Sequence, residues 1–572
     1  MADFIGSLSS KLRHLDLASA GFAGPIPPQL GNLSNLQYLN LYSNELEGGI
    51  PKFFGNMCRL NELNLSFNKL SGQLFEFIKN LSCGCAKNSL ESLYLDHNAV
   101  TGPIPELGGL SSLKSLYLGG NRLNGTINGS LGRMYKLEKL SLYGNSLTGV
   151  ISEDFFSNTS NLKALDLGDN SFTLKFRHDW VPPFQLKSIY LSSCKMGRHF
   201  PKWLQTQTQI DSLEISNVGI SDTIPDWFWD LSRNRLSFLN LSNNQIKGKL
   251  PDLSLSFDTG GPGIDISSNH FEGPIPPLPS NASSLNLSKN KFSGSISFLC
   301  SIGGHRLTYL DLSNNLLSGR LPDCWLLFDW LGILDLANNN FSGKIPDSMG
   351  SLPKIQILSL HDNRLTGELP STLQNCLLLR LMDLGRNALS GEIPTWVGER
   401  LPNLVVLSLT SNKFQGIIPF QLCHLPFIQI LDLSSNNISG TIPKCFNNFT
   451  AMAQEKSAVL STHSNYYFAV EGGSALVFLD YFGQAVLTWK GSQYKYQNTL
   501  ALVTMLDLSS NKLGGEVPDE IMDLVGLIAM NLSRNNLTGQ ITSKIDQLKS
   551  LDFLDLSRNQ FFGGIPSSLS QL

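Results

Sequence analysis

At 572 residues the chain exceeds what one compact core usually holds, so it is either several globular domains or a repeat array. Hydrophobic residues at 41% are too few for a polytopic membrane protein and too many for a disordered chain, and 43 basic against 46 acidic side chains leave a net charge of -3, with no basic field to collect phosphates. Nucleic acid is excluded as the expected partner. No run of roughly 18 apolar residues occurs, the nearest, Cys324 to Leu336, being broken by Asp329 and Asp335. The opening Met1-Ala2-Asp3-Phe4-Ile5-Gly6 has neither the basic nor the apolar stretch of a secretory signal.

In chain order one unit recurs: Leu39-Asn40-Leu41-Tyr42-Ser43-Asn44, Leu63-Asn64-Leu65-Ser66-Phe67-Asn68, and on to Leu431-Asp432-Leu433-Ser434-Ser435-Asn436. Its ladder position falls at 20, 44, 68, 98, 121, 145, 170, 194, 218, 244, 269, 290, 315, 339, 363, 387, 412, 436, 511, 535 and 559, twenty-one copies mostly 24 residues apart. After the Asn most copies continue x-Leu-x-Gly-x-Ile-Pro, as in Gly343-Lys344-Ile345-Pro346. This is the leucine-rich repeat, and the extension resembles its plant-specific class. Alternating leucines form a short strand with an apolar inner face, and the Asn pairs backbone groups where the chain turns away. One coil cannot bury its leucines alone. Stacked coils can, which predicts an α/β repeat solenoid with a parallel β-ladder on its concave face.

The ladder departs from Asn at Ala20, Cys194 and Val218, where stacked neighbours are expected to compensate. Between Asn68 and Asn98 the step is 30, and Cys83-Gly84-Cys85-Ala86-Lys87-Asn88 reads as a protruding loop. Tyr38, Tyr42, Tyr94, Tyr117, Tyr143 and Tyr190 occupy outward strand positions in the first half; such neighbours either stack to stiffen the sheet or offer contact area to a ligand. Further on, the same positions turn to Asp383, Arg386, Arg534 and Arg558. Between Asn436 and Asn511 the step is 75, so 51 extra residues interrupt the array. That segment carries Tyr466, Tyr467, Phe468, Phe478, Tyr481, Phe482, Trp489, Tyr494 and Tyr496, which either form a small core or face a ligand. The expected organisation is repeats over 1–448, an island over 449–502 and three further coils over 503–572.

Offsets from the ladder Asn convert into distances because equivalent positions stack. Cys300 and Cys324 both lie fifteen residues before their Asn, within disulfide range. Cys423 with Cys445, whose offsets differ by about two residues, and Cys58 with Cys83 or Cys85, a similar near-match across the extra residues, match less closely; Cys423–Cys445 and Cys58–Cys83 are the expected bridges. Cys194 and Cys376 read as buried thiols, and one cysteine is left over. There is no C-x-x-C pair or Cys/His cluster, so neither zinc nor another cofactor is expected. Fourteen N-x-[ST] sequons occur; those at Asn240, Asn286 and Asn531 are written by the repeat, whereas Asn124, Asn158, Asn281 and Asn448 are not demanded by it and read as glycan acceptors. Together with the cysteine pairing they point to an extracellular parent protein. Asp311 and Asp335 share a strand position at the separation of a retaining glycosidase pair, but Leu-Asp-Leu-Ser is the repeat's own habit and an open sheet gives no pocket to desolvate an acid. Catalysis is not expected.

Trp489-Lys490-Gly491, then Tyr494 or Tyr496, then Leu502-Val503-x-x-Leu506-Asp507-Leu508-Ser509-Ser510-Asn511 and Gly515-Glu516-Val517-Pro518 resemble the island exit of plant leucine-rich-repeat receptor-like proteins, most of all the group that perceives fungal ethylene-inducing xylanase. The resemblance implies an extracellular module without its own kinase. It would bind a proteinaceous elicitor, microbial or self-derived, through the concave face (Tyr42, Tyr94, Tyr117, Tyr143) and the island (Tyr466, Tyr467, Tyr481, Trp489, Tyr494, Tyr496). The last coils, with Arg534 and Arg558, would recruit a co-receptor kinase, and an adaptor kinase would join at the plasma membrane that anchors the parent. Relative to that family, a signal, caps and membrane helix are expected outside the present sequence, and uncapped coil ends are expected to limit solubility. A secreted inhibitor of a cell-wall hydrolase and a soluble decoy are the rival readings.

Overall fold

The computed structural model describes residues 11–571 except 128–130, 132–133, 233–235, 255–256, 258–259, 455–462, 470–475, 483–484, 490–491 and 497–502; for the strands between 463 and 496 only the backbone is described. The chain is a leucine-rich-repeat solenoid with twenty-one ladder strands among the described residues. Contacts divide it into a first unit, mainly Met1–Gly248, and a second, mainly Thr259–Ala469 with Ala475–Leu572.

Each coil begins with a three-residue strand such as Tyr38–Asn40, whose central leucine is buried while its neighbours point outward. Pairing is parallel and in register: Leu15, Leu39 and Leu63 are successive partners, as are Leu310, Leu334 and Leu358. The ladder asparagine then clamps the turn. The Asn170 amide donates to the carbonyls of Leu142, Leu167 and Gly168 at 2.9, 3.2 and 3.0 Å, and its oxygen accepts from Leu147 N–H at 3.0 Å. One buried side chain thus satisfies backbone groups of two coils. The residue before it adopts a left-handed conformation in almost every coil, as Ser43 does at φ 53°.

The Leu-x-Gly stretch forms a second strand on the back of each coil. Seven of these pair in the first unit, from Ala23–Pro25 to Ser171–Leu174. Gly48, at φ 82°, lets the chain leave this strand without a Cβ in the left-handed region. The following proline, with φ fixed near the helical value, starts a short 3-10 turn, as Pro346 does before Asp347–Ser351. At Ala20 and Val218 the next coil's asparagine supplies the contact, Asn44 Oδ1 accepting from Ala20 and Phe22 and Asn244 Oδ1 from Val218, Gly219 and Ile220, whereas at Cys194 the thiol itself donates to Leu167 O of the preceding coil at 3.5 Å.

Two departures correct the sequence reading. The extra residues before Asn98 are not a protruding loop. They extend the back of the coil into a helix, Leu74–Cys83, whose Leu74, Phe77, Ile78 and Leu81 are buried, so i, i+3, i+4 and i+7 periodicity absorbs the insertion. The Cys58 bridge closes on Cys85 at a Cα separation of 4.8 Å, leaving Cys83 exposed and unpaired. Cys83 ends the helix, and Gly84 packs so closely on Gly55 that a Cβ there would lie 1.9 Å from the Gly55 carbonyl oxygen. That approach carries Cys85 to Cys58. Cys300 is bonded to Cys324 and Cys423 to Cys445, with Cα separations of 5.6 and 5.7 Å, while Cys194 and Cys376 are buried free thiols.

The long step does not open the ladder. Ile430–Asp432 pairs directly with Met505–Asp507, and the Asn511 amide donates to Leu433 O at 2.9 Å as if the coils were consecutive. Within the intervening chain, His463–Ala469 pairs antiparallel with Leu476–Phe482, and Ala485–Trp489 with Ser492–Tyr496. Among the described residues no helix is long and apolar enough to cross a membrane.

Candidate functional site

The outward ladder face of the first unit gathers aromatic side chains into two rows. The strand row holds Tyr94 and Tyr117, stacked at 5.0 Å, and at its start Tyr38 stacks on His14 at 4.1 Å. The turn row runs Tyr42, Phe67, His97, Tyr143, with centroid separations of 5.2, 4.1 and 5.6 Å. Its last step skips a coil. Gly119 and Gly120 vacate the space between, since a Cβ on Gly119 would meet the Tyr143 ring at 2.2 Å and one on Gly120 would meet His97 Nδ1 at 2.7 Å. Across that notch the Tyr143 hydroxyl hydrogen-bonds His97 Nε2. Phe67 and His97 occupy the left-handed turn position, φ 56° and 52°, where other coils carry mostly Ser, Asn, Asp, Gly or a charged residue. A bulky ring there is uncommon and brings nothing to the leucine core. His97 and the glycine pair escaped the sequence reading, although Gly-Gly directly before Asn121 was a visible signal.

Acids lie under and between these rings. Asp96 accepts from Gly119 N–H at 2.8 Å and from the Ser66 hydroxyl at 3.3 Å, and Asp166 from the Ser141 hydroxyl at 3.0 Å. Burial pushes both carboxyls up to about 7, the hydrogen bonds opposing it. Tyr143 is raised by burial, then by the charges of Asp96 and Asp166. Tyr190 is pushed up to about 12, first by burial, with Asp166 and Glu214 contributing. Burial holds the His97 imidazole below its ordinary range.

The second unit's ladder face is of another kind. Its first outward position is apolar in coil after coil, and Tyr309, Ile333, Ile357, Leu381, Val406, Ile430, Met505 and Ala529 form one buried cluster flanked by Phe553. Beside it run Asp311, Asp335, Asp383, Asp432 and Asp507, all buried. The expectation that this face leaves acids solvated is overturned, because the flanking apolar residues desolvate them. Asp311 and Asp335 are ladder partners, the Tyr309 hydroxyl donates to Asp311 at 3.3 Å, and burial with the Asp335 charge pushes Asp311 up to about 7. Asp383 is held low: burial would raise it, but His361 lies 3.1 Å away and prevails. The same pair, helped by Asp335 and Asp362, pushes His361 up to about 9 against its burial. Arg386 is not a free cation but pairs with Asp362 at 3.2 Å.

Arg534 and Arg558 stand exposed at the turn positions of the last two coils. Tyr466, Tyr467, Tyr481, Trp489, Tyr494 and Tyr496 fall on the four inserted strands, and their side chains lie outside the described residues. Asn124, Asn158 and Asn448 are exposed on the back strands and turns and Asn281 is half-buried, whereas the Asn240, Asn286 and Asn531 amides donate to Glu214, Asp265 and Asp507.

Two leucine rich repeat family profiles match the chain, one over 135–196 and 499–561, the other over nine segments between 35 and 449. Receptor-like protein EIX2 of Solanum lycopersicum is 46% identical over 379 residues, covering 66% of this chain and 36% of that protein. Receptor-like protein EIX1 of the same plant is 44% identical over 383 residues, covering 67% and 36%. The chain therefore spans about a third of the length of these relatives. Among solved structures, the Arabidopsis receptor kinase HAESA in complex with the peptide hormone IDA and the co-receptor SERK1 is similar at a TM-score of 0.68 and 28% identity, over 98% of this chain and 85% of that one. The plant peptide hormone receptor RGFR1 in complex with RGF2 is similar at 0.65 and 25%, over 98% and 92%.

Proposed function

Because the chain belongs to the leucine-rich-repeat family and, within it, to the plant receptor-like proteins, we propose that it is a non-catalytic recognition module outside the cell. It binds a proteinaceous elicitor, microbial or self-derived, and relays that event to defence signalling through a co-receptor kinase. The observation that carries the reading is the continuous aromatic row of the first unit, where Tyr42 and Phe67 keep about a third of their surface open to solvent instead of joining the core. The inserted segment 449–502 is the second proposed ligand element, since its hairpins carry a dense set of aromatics. The coils at Asn535 and Asn559 present Arg534 and Arg558 in the open, as a co-receptor contact needs. Structural neighbours that bind peptide hormones and a co-receptor support both roles. An adaptor kinase and a membrane anchor complete the proposed assembly.

The test is capture of wall-hydrolase elicitors by the ectodomain, comparing the unchanged chain, a deletion of 455–502 and the pair Tyr42→Ser with Phe67→Ser. Loss of capture in either variant supports its element. Capture unchanged in both refutes the recognition surfaces named here.

A further inference from the structure

Resting on the first unit's face as the recognition surface, we infer that the ligand offers it a cationic peptide segment, arginine or lysine side chains seated over the aromatic turn row. Tyr42 and Phe67 present open rings 5.2 Å apart at positions that contribute nothing to the core. Rings alone would suit any flat apolar partner, so charge decides. Over the outward positions of the ten coils from Ala20 to Asn244 stand Asp16, Glu62, Asp169 and Glu214, joined by Asp96 and Asp166, which burial leaves partly protonated near neutral pH, against one lysine, Lys139. His97 adds no charge near neutral pH. These carboxylates act at rings of the same coil as Tyr42 and of the coils that follow Phe67: Tyr38 feels Asp16 and Glu62, Tyr94 feels Glu62 and Asp96, and Tyr143 feels Asp96 and Asp166.

A π-face inside a negative field is the environment a guanidinium or ammonium group recognises, and it repels an acidic partner. A neutral sugar could stack on the rings but would draw nothing from the charge. The outward ladder positions of the second unit, a buried apolar cluster beside buried aspartates, carry no comparable field on exposed rings among the described residues.

The probes are hexaarginine, hexaglutamate and cellohexaose, measured by calorimetry on the full chain at low and moderate salt. The variants are Tyr42→Ser with Phe67→Ser, and separately Glu62→Gln. Serine already stands at the equivalent position of the neighbouring coil in each case, Ser66 matching Tyr42 and Ser43 matching Phe67, so the fold tolerates it. Hexaarginine is expected to bind, to weaken at least tenfold in the serine pair, to weaken again in Glu62→Gln and to fade with salt. Cellohexaose or hexaglutamate binding with the same dependence on Tyr42 and Phe67 would overturn the cationic assignment and leave the surface standing. Hexaarginine binding that ignores the serine pair would overturn the surface itself, and no hexaarginine binding at about 1 mM would overturn the cationic assignment.

Discussion

Replacing Asp432 by asparagine should remove a pH dependence that the second unit now carries. Asp432 and Asp507 are direct ladder partners, each 1% exposed, and burial followed by the neighbouring charge pushes Asp432 up to about 8. In the unfolded chain the group ionises near its ordinary value of 3.8. As pH rises between those two values the unfolded state has lost its proton while the folded state keeps it, so stability falls across that window and levels off above it. The full conversion is on the order of 6 kcal/mol, and water reaching the pair reduces this to roughly 2–4 kcal/mol. Asparagine keeps the oxygen that accepts from Ser434 N–H and hydroxyl, at 3.0 and 2.6 Å. An amide beside a carboxylate is also what the array uses elsewhere, as Asn286 does with Asp265 at 3.0 Å. The variant should match the wild type within about 1 kcal/mol at pH 5 and exceed it at pH 8.5, which at about 1–2 °C per kcal/mol for a unit of this size is a rise of roughly 2–8 °C in melting temperature. Scanning calorimetry across that range checks it. Parallel curves for the two proteins would refute the raised ionisation of Asp432 in the folded chain.

His361→Leu leaves Asp383 buried without its partner and should cost about 3–5 kcal/mol, most of it recovered by adding Asp383→Leu; urea unfolding of the three proteins measures this. The His361 contribution is fully present below the ordinary histidine value and lost as pH rises through about 9, while that of Asp383 is lost as pH falls through its lowered value. Gly119→Ala should displace the Tyr143 ring at a cost of about 1–3 kcal/mol, and Tyr143→Ser should relieve that cost in the double variant, a coupling that calorimetry reads directly. Thiol titration should find one fast group, Cys83, in the native protein and three after denaturation without reductant, and Cys83→Ser should abolish the fast one with no change in melting temperature.

The ladder was readable because its rule is local: leucines two apart and an asparagine three further on dictate a strand and a turn, and stacking makes every coil repeat the last. The Cys300–Cys324 bond follows from equal offsets in the same way. The Cys58 bridge could not be resolved by offsets, since Cys83 and Cys85 differ only in which side of a helix end they fall, and the Gly84 approach to Gly55 decides it. Outward positions are harder still. Sequence places Asp311 and Phe67 alike on the face, but whether a face is wet depends on what surrounds each strand, which no period encodes. The apolar run from Ile333 to Ala529 and the His361–Asp383 pair became visible only as neighbours across coils.

The direct seam between the coils at Asn436 and Asn511 has a consequence for biosynthesis. Ile438 N–H finds its acceptor, Asn511 Oδ1, 73 residues downstream. At about 5–20 residues per second the translating ribosome delivers that acceptor roughly 4–15 s later, and until then the newest rung has an open edge of unpaired amides and carbonyls. The equivalent bond at Leu70 spans 28 residues and at Leu46 only 22, so those rungs wait well under half that time. The nascent chain therefore meets its greatest hazard of mispairing at this seam, and a chaperone acting on the emerging chain has the most to protect there.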